Sequence, residues 1–304
     1  MSRPAPRSID QYLEQLKDAL RGEDPALVQD ALYDAEEYLR AEVAQHPGKS
    51  EADVLELIAS TYGAPDEVAD AYRTTEATVR AALKPAPRPA PKSAFGRLFA
   101  VYSDSRAWTA LFYMLLSLVT GIFYFTFAVT GLSMSAGFAI LIIGVPFFLL
   151  FVGGTRVLAL VEGRIVEGLL GVRMPRRPRA KPTGGLVERI KEMLTDRRTW
   201  TTLLYFLLML PLGCGYFTGA VVGGALGFGF LAATVLLILN AFGIDLGQSV
   251  AIVDQPLSPA WAPVTFVAAV ITITLLLHVA RALGDVHGAI AKSLLVAPDR
   301  EGGA

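Results

Sequence analysis

Cysteine occurs once in the 304 residues, at Cys214, so no disulfide can form within the chain. Inside an apolar run it reads as a buried, small packing residue. Charge is missing from two long stretches: there is none between Ala107 and Thr155, and only Asp245 and Asp254 between Thr199 and Ala280. A soluble fold could hardly hide such stretches, since about 20 apolar residues already match a bilayer core. An apolar leader is also lacking. Met1 to Asp24 is polar and no hydrophobic segment follows Arg3 and Arg7, so the N-terminal part is expected in the cytoplasm. The three histidines (His46, His278 and His287) show no metal-ligand spacing. No nucleophile stands with a base, so neither cofactor, metal nor catalytic site is expected and the chain reads as a non-enzyme.

What is present divides the chain. From Asp10 to Arg80 there are 17 Asp/Glu against 6 Lys/Arg, a net of −11, while the whole chain is at −1. Residues 1–83 read as an acidic bundle of four short helices. Ser8 with Gln11 predicts a capping box ahead of Tyr12, Leu13, Leu16 and Leu20. Asp24-Pro25 opens a helix with Val28, Leu32, Ala35, Leu39 and Val43 on one stripe, ended by His46-Pro47-Gly48. Ser50 caps a third helix carrying Val54, Leu55, Ile58 and Tyr62, stopped near Gly63. A fourth opens at Pro65, with Val68, Ala69 and Tyr72 inward. An acidic surface of this kind repels nucleic acid and suits a basic protein partner. Residues 84–94, containing KPAPRPAPK, read as a basic, semi-extended tether.

The remainder contains an internal repeat. At a constant offset of 92, Asp104, Arg106, Trp108, Thr109 and Tyr113 match Asp196, Arg198, Trp200, Thr201 and Tyr205, and the register continues through Tyr124/Tyr216 and Gly131/Gly223. Farther on the offset is 125: Arg156/Arg281, Leu158/Leu283, Gly163/Gly288 and Ile165/Ile290. The difference of 33 residues places an insertion in the second copy, at about 231–262. The fold class expected is therefore all-α: a small soluble helical bundle plus a four-helix transmembrane bundle. Its first copy is 95–172 and its second 188–304. Helices are predicted near 107–131, 136–158, 199–224 and 263–282. Residues 173–187 form a basic connector around Arg173, Arg176, Arg177, Arg179 and Lys181, cytoplasmic by the positive-inside rule. Four alternating passes, with the repeat parallel, then put both termini inside and the insertion outside. Leu231 to Leu239 reads as an outer extension of the third helix or a membrane-lying segment.

Within this frame several residues are candidates. Gly215, Gly219, Gly223 and Gly227 recur every four residues and would let a helix approach closely, either within the bundle or at a homodimer seam. Arg156, Glu162 and Arg164 follow the second helix, and Glu162 is expected to pair with Arg106 or Arg198 in an interfacial salt-bridge cluster. Intramembrane His278 has no carboxylate in its helix to form a relay. Asp245, Gln248, Ser249, Asp254, Gln255 and Trp261 of the insertion read either as ligand or headgroup contacts or as an apolar cover.

Two stretches resemble known families. Residues 8–80 resemble the bacterial HAAS-type signalling domain, through Asp34-Ala-Glu-Glu-Tyr-Leu39 and above all Tyr62-Gly-Ala-Pro-Asp-Glu-Val-Ala69 with Tyr72. Residues 95–296 resemble the sensor domain that precedes the kinase core of many bacterial histidine kinases. Ile143-Gly-Val-Pro146, Arg156-Val-Leu-Ala-Leu-Val-Glu162 with Leu170-Gly171, and Asp196-x-x-Thr-Trp200 with Leu204-Tyr205 carry that similarity. Gly163 departs from the family pattern, which has arginine after the glutamate; here arginine follows one place later, at Arg164. The resemblances imply a signalling protein of the bacterial inner membrane without a kinase core. The implied partners are the lipid bilayer and a cytoplasmic protein such as a PadR-type regulator. A small permease, or an accessory subunit of a transporter, is the alternative.

Overall fold

The computed structural model describes residues 5–83, 93–138, 144–177, 195–244, 250–252 and 255–296. Its N-terminal head is built from α1 (Ile9–Ala19), α2 (Pro25–Gln45), α3 (Glu51–Ile58) and α4 (Pro65–Leu83). Local chemistry sets each start. Asp24 accepts the Ala26 N–H at 3.0 Å with Pro25 in the first turn. Ser50 and Asp53 cap α3 reciprocally. Ahead of α1 the box is shifted: Ser8 Oγ accepts from Gln11 N–H, but the Gln11 side chain accepts from Arg7 N–H, not from Ser8. Leu16, Leu20, Ala35, Leu39 and Ala69 are fully buried between these helices. Each leucine contributes about 1.5–3 kcal/mol by leaving water. The Tyr12 hydroxyl donates to the Gly63 carbonyl at 2.9 Å and ties α1 to the turn after α3.

After α5 (Ala94–Phe99) and a short 3-10 turn come four long helices: α6 (Ser105–Phe138), α7 (Gly144–Leu170), α8 (Arg197–Ala241) and α9 (Ala262–Leu295). All four are long and apolar enough to cross a membrane. They exceed the predicted lengths, and α8 continues through Pro211. α6 runs through the start expected for its successor, and α7 begins at Gly144 with Pro146 in its first turn, where a missing N–H is harmless. Leu231 to Leu239 lies inside α8, an extension of the third helix. A two-residue antiparallel pair, Ala251–Ile252 with Gln255–Pro256, sits before α9.

Contact register gives the helix directions. Gly121 faces Met209, Gly213 faces Ser117, and Tyr124 stacks on Phe206, so α6 and α8 are antiparallel. Asp104 with Arg281, Ala110 with Gly284 and Tyr113 with His287 make α6 and α9 parallel. Gly131 with Phe151 and Gly227 with Ile273 mark antiparallel α6–α7 and α8–α9 pairs. Alternating passes and a parallel repeat would have α6 and α8 run the same way; the observed packing is the reverse. At Gly121 and Gly213 the two backbones approach too closely for any side chain. The chain leaving α7 accordingly turns back at once. Gly171 takes a left-handed φ of +71°, Val172 then lies against Gly288, and Met174 lies against Gly163.

Candidate functional site

Each long helix contributes one polar side chain to a point at the centre of the bundle. Tyr113 of α6, Glu162 of α7, Tyr205 of α8 and His287 of α9 are all at most 1% exposed. Both tyrosine hydroxyls donate to the same glutamate oxygen, Oε1, at 2.8 Å. Nε2 of His287 stands 2.6 Å from the Tyr113 oxygen and 3.0 Å from that of Tyr205. With the two hydroxyl hydrogens committed to Glu162, Nε2 must carry the ring hydrogen to bond either oxygen. Nδ1 is then an acceptor, and it has no partner among the described residues. The Tyr216 ring meets the imidazole edge-on at 5.5 Å.

Glu162 pairs with neither of the arginines expected from the sequence. Its neighbours are these tyrosines, and neither Arg106 nor Arg198 bonds it. Glu162 is wholly buried, Arg106 is exposed, and Arg198 reaches outward to Gln29 of the head at 2.6 Å. The repeat held the missed signal. Tyr113 and Tyr205 differ by 92, and the second offset of 125 carries Glu162 onto His287. The two copies thus place an acid and a base at corresponding positions.

Corresponding residues also pair across the bundle. Arg156 meets Asp196 at 3.7 Å, and Arg281 meets Asp104 at 3.1 Å. Arg164 donates to the Arg176 carbonyl at 3.2 Å. His278 lies 3.1 Å from the Leu98 carbonyl oxygen in an exposed position, away from the cluster. The four candidate glycines do not make one face. Gly223 and Gly227 pack on Leu276 and Ile273, whereas a side chain at Gly215 would meet nothing and one at Gly219 only the tip of Met114. Residues four apart advance about 40° around a helix beyond a full turn, so the stripe winds away from its neighbour. Cys214, expected to be buried, is exposed. Trp261 is half-exposed in the turn before α9. Asp245, Gln248, Ser249 and Asp254 lie outside the described residues.

Beside the cluster the head is seated on the basic segment that leaves α7. Asp30 of α2 accepts the backbone N–H groups of Arg176 and Arg177 at 2.7 and 2.8 Å, and the Arg173 guanidinium at 3.1 Å. Arg173 also bonds Glu76 of α4 at 3.1 Å. Arg177 bonds Asp34 at 2.9 Å, and Lys292 of α9 bonds Asp24 at 2.6 Å. Burial pushes the Asp30 carboxyl up from its ordinary value, while the N–H groups of Arg177 and Arg176 and the Arg173 charge pull it down. Arg176 turns the other way, onto Glu167 at 2.9 Å, which raises its own pKa further.

Four apolar helices with a buried polar centre, and a helical head ion-paired to their flank, define a helical multi-pass membrane protein. Its sequence matches the family described as Putative sensor over residues 113–295, well over half of the chain, and the protein belongs to that family. The matched segment holds all four cluster residues; the head lies outside it. No curated protein and no solved structure matches the chain.

Proposed function

We propose that the protein is a non-catalytic sensor of the bacterial inner membrane that passes a membrane or extracytoplasmic cue to a cytoplasmic protein partner through its HAAS-like head. One observation carries the reading. Met174, fully buried against Gly163 beside the Glu162 cluster, is the immediate neighbour of Arg173, which the head holds through Asp30 and Glu76. One residue step therefore joins the interior of the bundle to the grip of the head. A cue that shifts α7 against α8 moves Met174, and with it the head. Such a cue must bind the docked and released arrangements with different affinity. The contact between Asp24 and Lys292 holds the head beside the end of α9 as well as on the basic segment that leaves α7. A PadR-type regulator is the partner we propose.

Affinity capture from native membranes tests this, comparing the full chain, Arg173→Glu and a chain lacking residues 1–83. A cytoplasmic regulator should be held by the full chain, more strongly by Arg173→Glu, and not by the shortened chain. Recovery of transport subunits with all three, and of no regulator, would replace this reading by the transporter-subunit alternative.

A further inference from the structure

We infer that the α2–α4 face of the head is a receptor for an extended, arginine-bearing peptide segment, occupied in cis by residues 173–177 and open in the released state to a segment of the same pattern from the partner. This rests on the proposed function only in naming the competitor as the signalling partner.

The contacts are those of peptide recognition, not of a general attraction between opposite charges. Backbone is read first. Asp30 Oδ1 takes two successive N–H groups, those of Arg176 and Arg177, and Gln29 Nε2 donates to the Arg177 carbonyl at 2.7 Å. Side chains are read next. Arg173 is forked between Asp30 and Glu76, and Arg177 is held by Asp34. The Tyr72 hydroxyl donates to the other Asp34 oxygen at 3.1 Å and fixes that carboxylate. Guanidinium suits such a site because its planar donors can serve two carboxylates at once, which an ammonium does less well. Arg173, Asp30 and Glu76 are nearly enclosed, with side chains 13%, 8% and 13% exposed.

The segment is gripped from both sides. Met174 and Pro175 are buried on the bundle side, Arg173 enters the head, and Arg177 bonds Asp34 at its surface. If the bundle draws the segment away, the head is left with three carboxylates and a glutamine in the same array. The pattern it accepts is arginine at the first and fifth positions, with free N–H groups at the fourth and fifth. Proline is excluded from those two places because it has no N–H to give Asp30, whereas at the third place this chain itself carries Pro175.

Fluorescence anisotropy on the full chain in detergent tests the assignment, with a labelled synthetic peptide of sequence GVRMPRR. The wild-type chain should bind it weakly, since the tethered segment competes at high effective concentration. Arg173→Glu/Arg177→Glu should bind at least about tenfold more tightly. Adding Asp30→Lys should abolish that gain, as should N-methylation of the last two arginines of the peptide. No gain in the folded double variant, or equal binding of the methylated peptide, overturns the inference. A second readout keeps the native arginines. In a Cys214→Ser chain carrying Asp24→Cys and Lys292→Cys, excess peptide should slow disulfide closure; unchanged closure counts against the receptor. Neither readout depends on whether a regulator is captured from membranes, so the two ideas fail separately.

Discussion

Gly121 of α6 and Gly213 of α8, 92 positions apart, each lie directly against the backbone of the other's helix. A Cβ on Gly121 would overlap the backbone of Met209, and one on Gly213 that of Ser117. Backbone cannot yield as a side-chain tip does. Gly121→Ala or Gly213→Ala should therefore destabilise the bundle by at least about 1–3 kcal/mol. Gly215→Ala, facing open space, should be near neutral, within about 0.5 kcal/mol. Denaturation midpoints of the three variants in one detergent would show the contrast, and equal midpoints would refute the crossing.

The central cluster predicts non-additivity. Tyr113→Phe or Tyr205→Phe removes one of two hydroxyls serving a single buried oxygen, at a cost of about 1–3 kcal/mol each. The double variant should cost measurably less or more than the sum, because both hydroxyls share Glu162 and His287. Additive losses in a double-mutant cycle would mean that the four groups do not act as one network.

Head docking leaves a mark on two amides. The N–H groups of Arg176 and Arg177 are bonded only while Asp30 is in place, so hydrogen exchange at both should be slow in the native chain. Asp30→Ala should speed exchange there by roughly tenfold or more, the equivalent of at least about 1.4 kcal/mol of lost protection. Raising salt should act in the same direction but less, since Asp30, Arg173 and Glu76 are mostly shielded from solvent. Unchanged exchange in Asp30→Ala would remove the docking contact as described.

Two titrations bracket the stability of the head. Asp53 is held below its ordinary pKa by the Ser50 hydroxyl and N–H, so its contribution is present above the usual carboxylate range and is lost as pH falls through the lowered value. Ser50→Ala should cost about 1 kcal/mol at neutral pH and less in acid. At the alkaline end, burial pushes Tyr62 up to about 12, with Asp34 and Tyr38 adding to the shift. The neutral phenol is favoured in the fold; its contribution is full below pH 10 and declines as pH rises through 12. Circular dichroism melts of the full chain between pH 3 and 12 would follow both limbs. A cap variant equally destabilised at both acid and neutral pH would contradict the first.

Much of this was written in local chemistry. Asp24-Pro25 and Ser50 announced α2 and α3, and the charge-free runs announced four long apolar helices. Direction was not legible. Counting passes presumes that successive helices alternate, but backbone contact at Gly121 and Gly213 depends on which faces meet, and no local pattern encodes that. The stripe from Gly215 to Gly227 was conspicuous by spacing, yet only Gly223 and Gly227 of the four press closely on a neighbouring helix. Opposite charge points from Glu162 to arginine, and the fold answers with tyrosine. A fully buried carboxylate surrounded by apolar helices finds neutral hydroxyl donors more cheaply than a guanidinium that must also be desolvated.

α8 has a mechanical consequence. It runs 45 residues from Arg197 to Ala241 as one helix, about 67 Å, with Pro211 in its interior. Its first turn touches the head through Arg198 and Gln29, and its far end turns at Phe242 and Gly243. No loop lies between to absorb a displacement, so a twist applied at that distant turn arrives at the head as a twist, with Pro211 the softest link in the shaft.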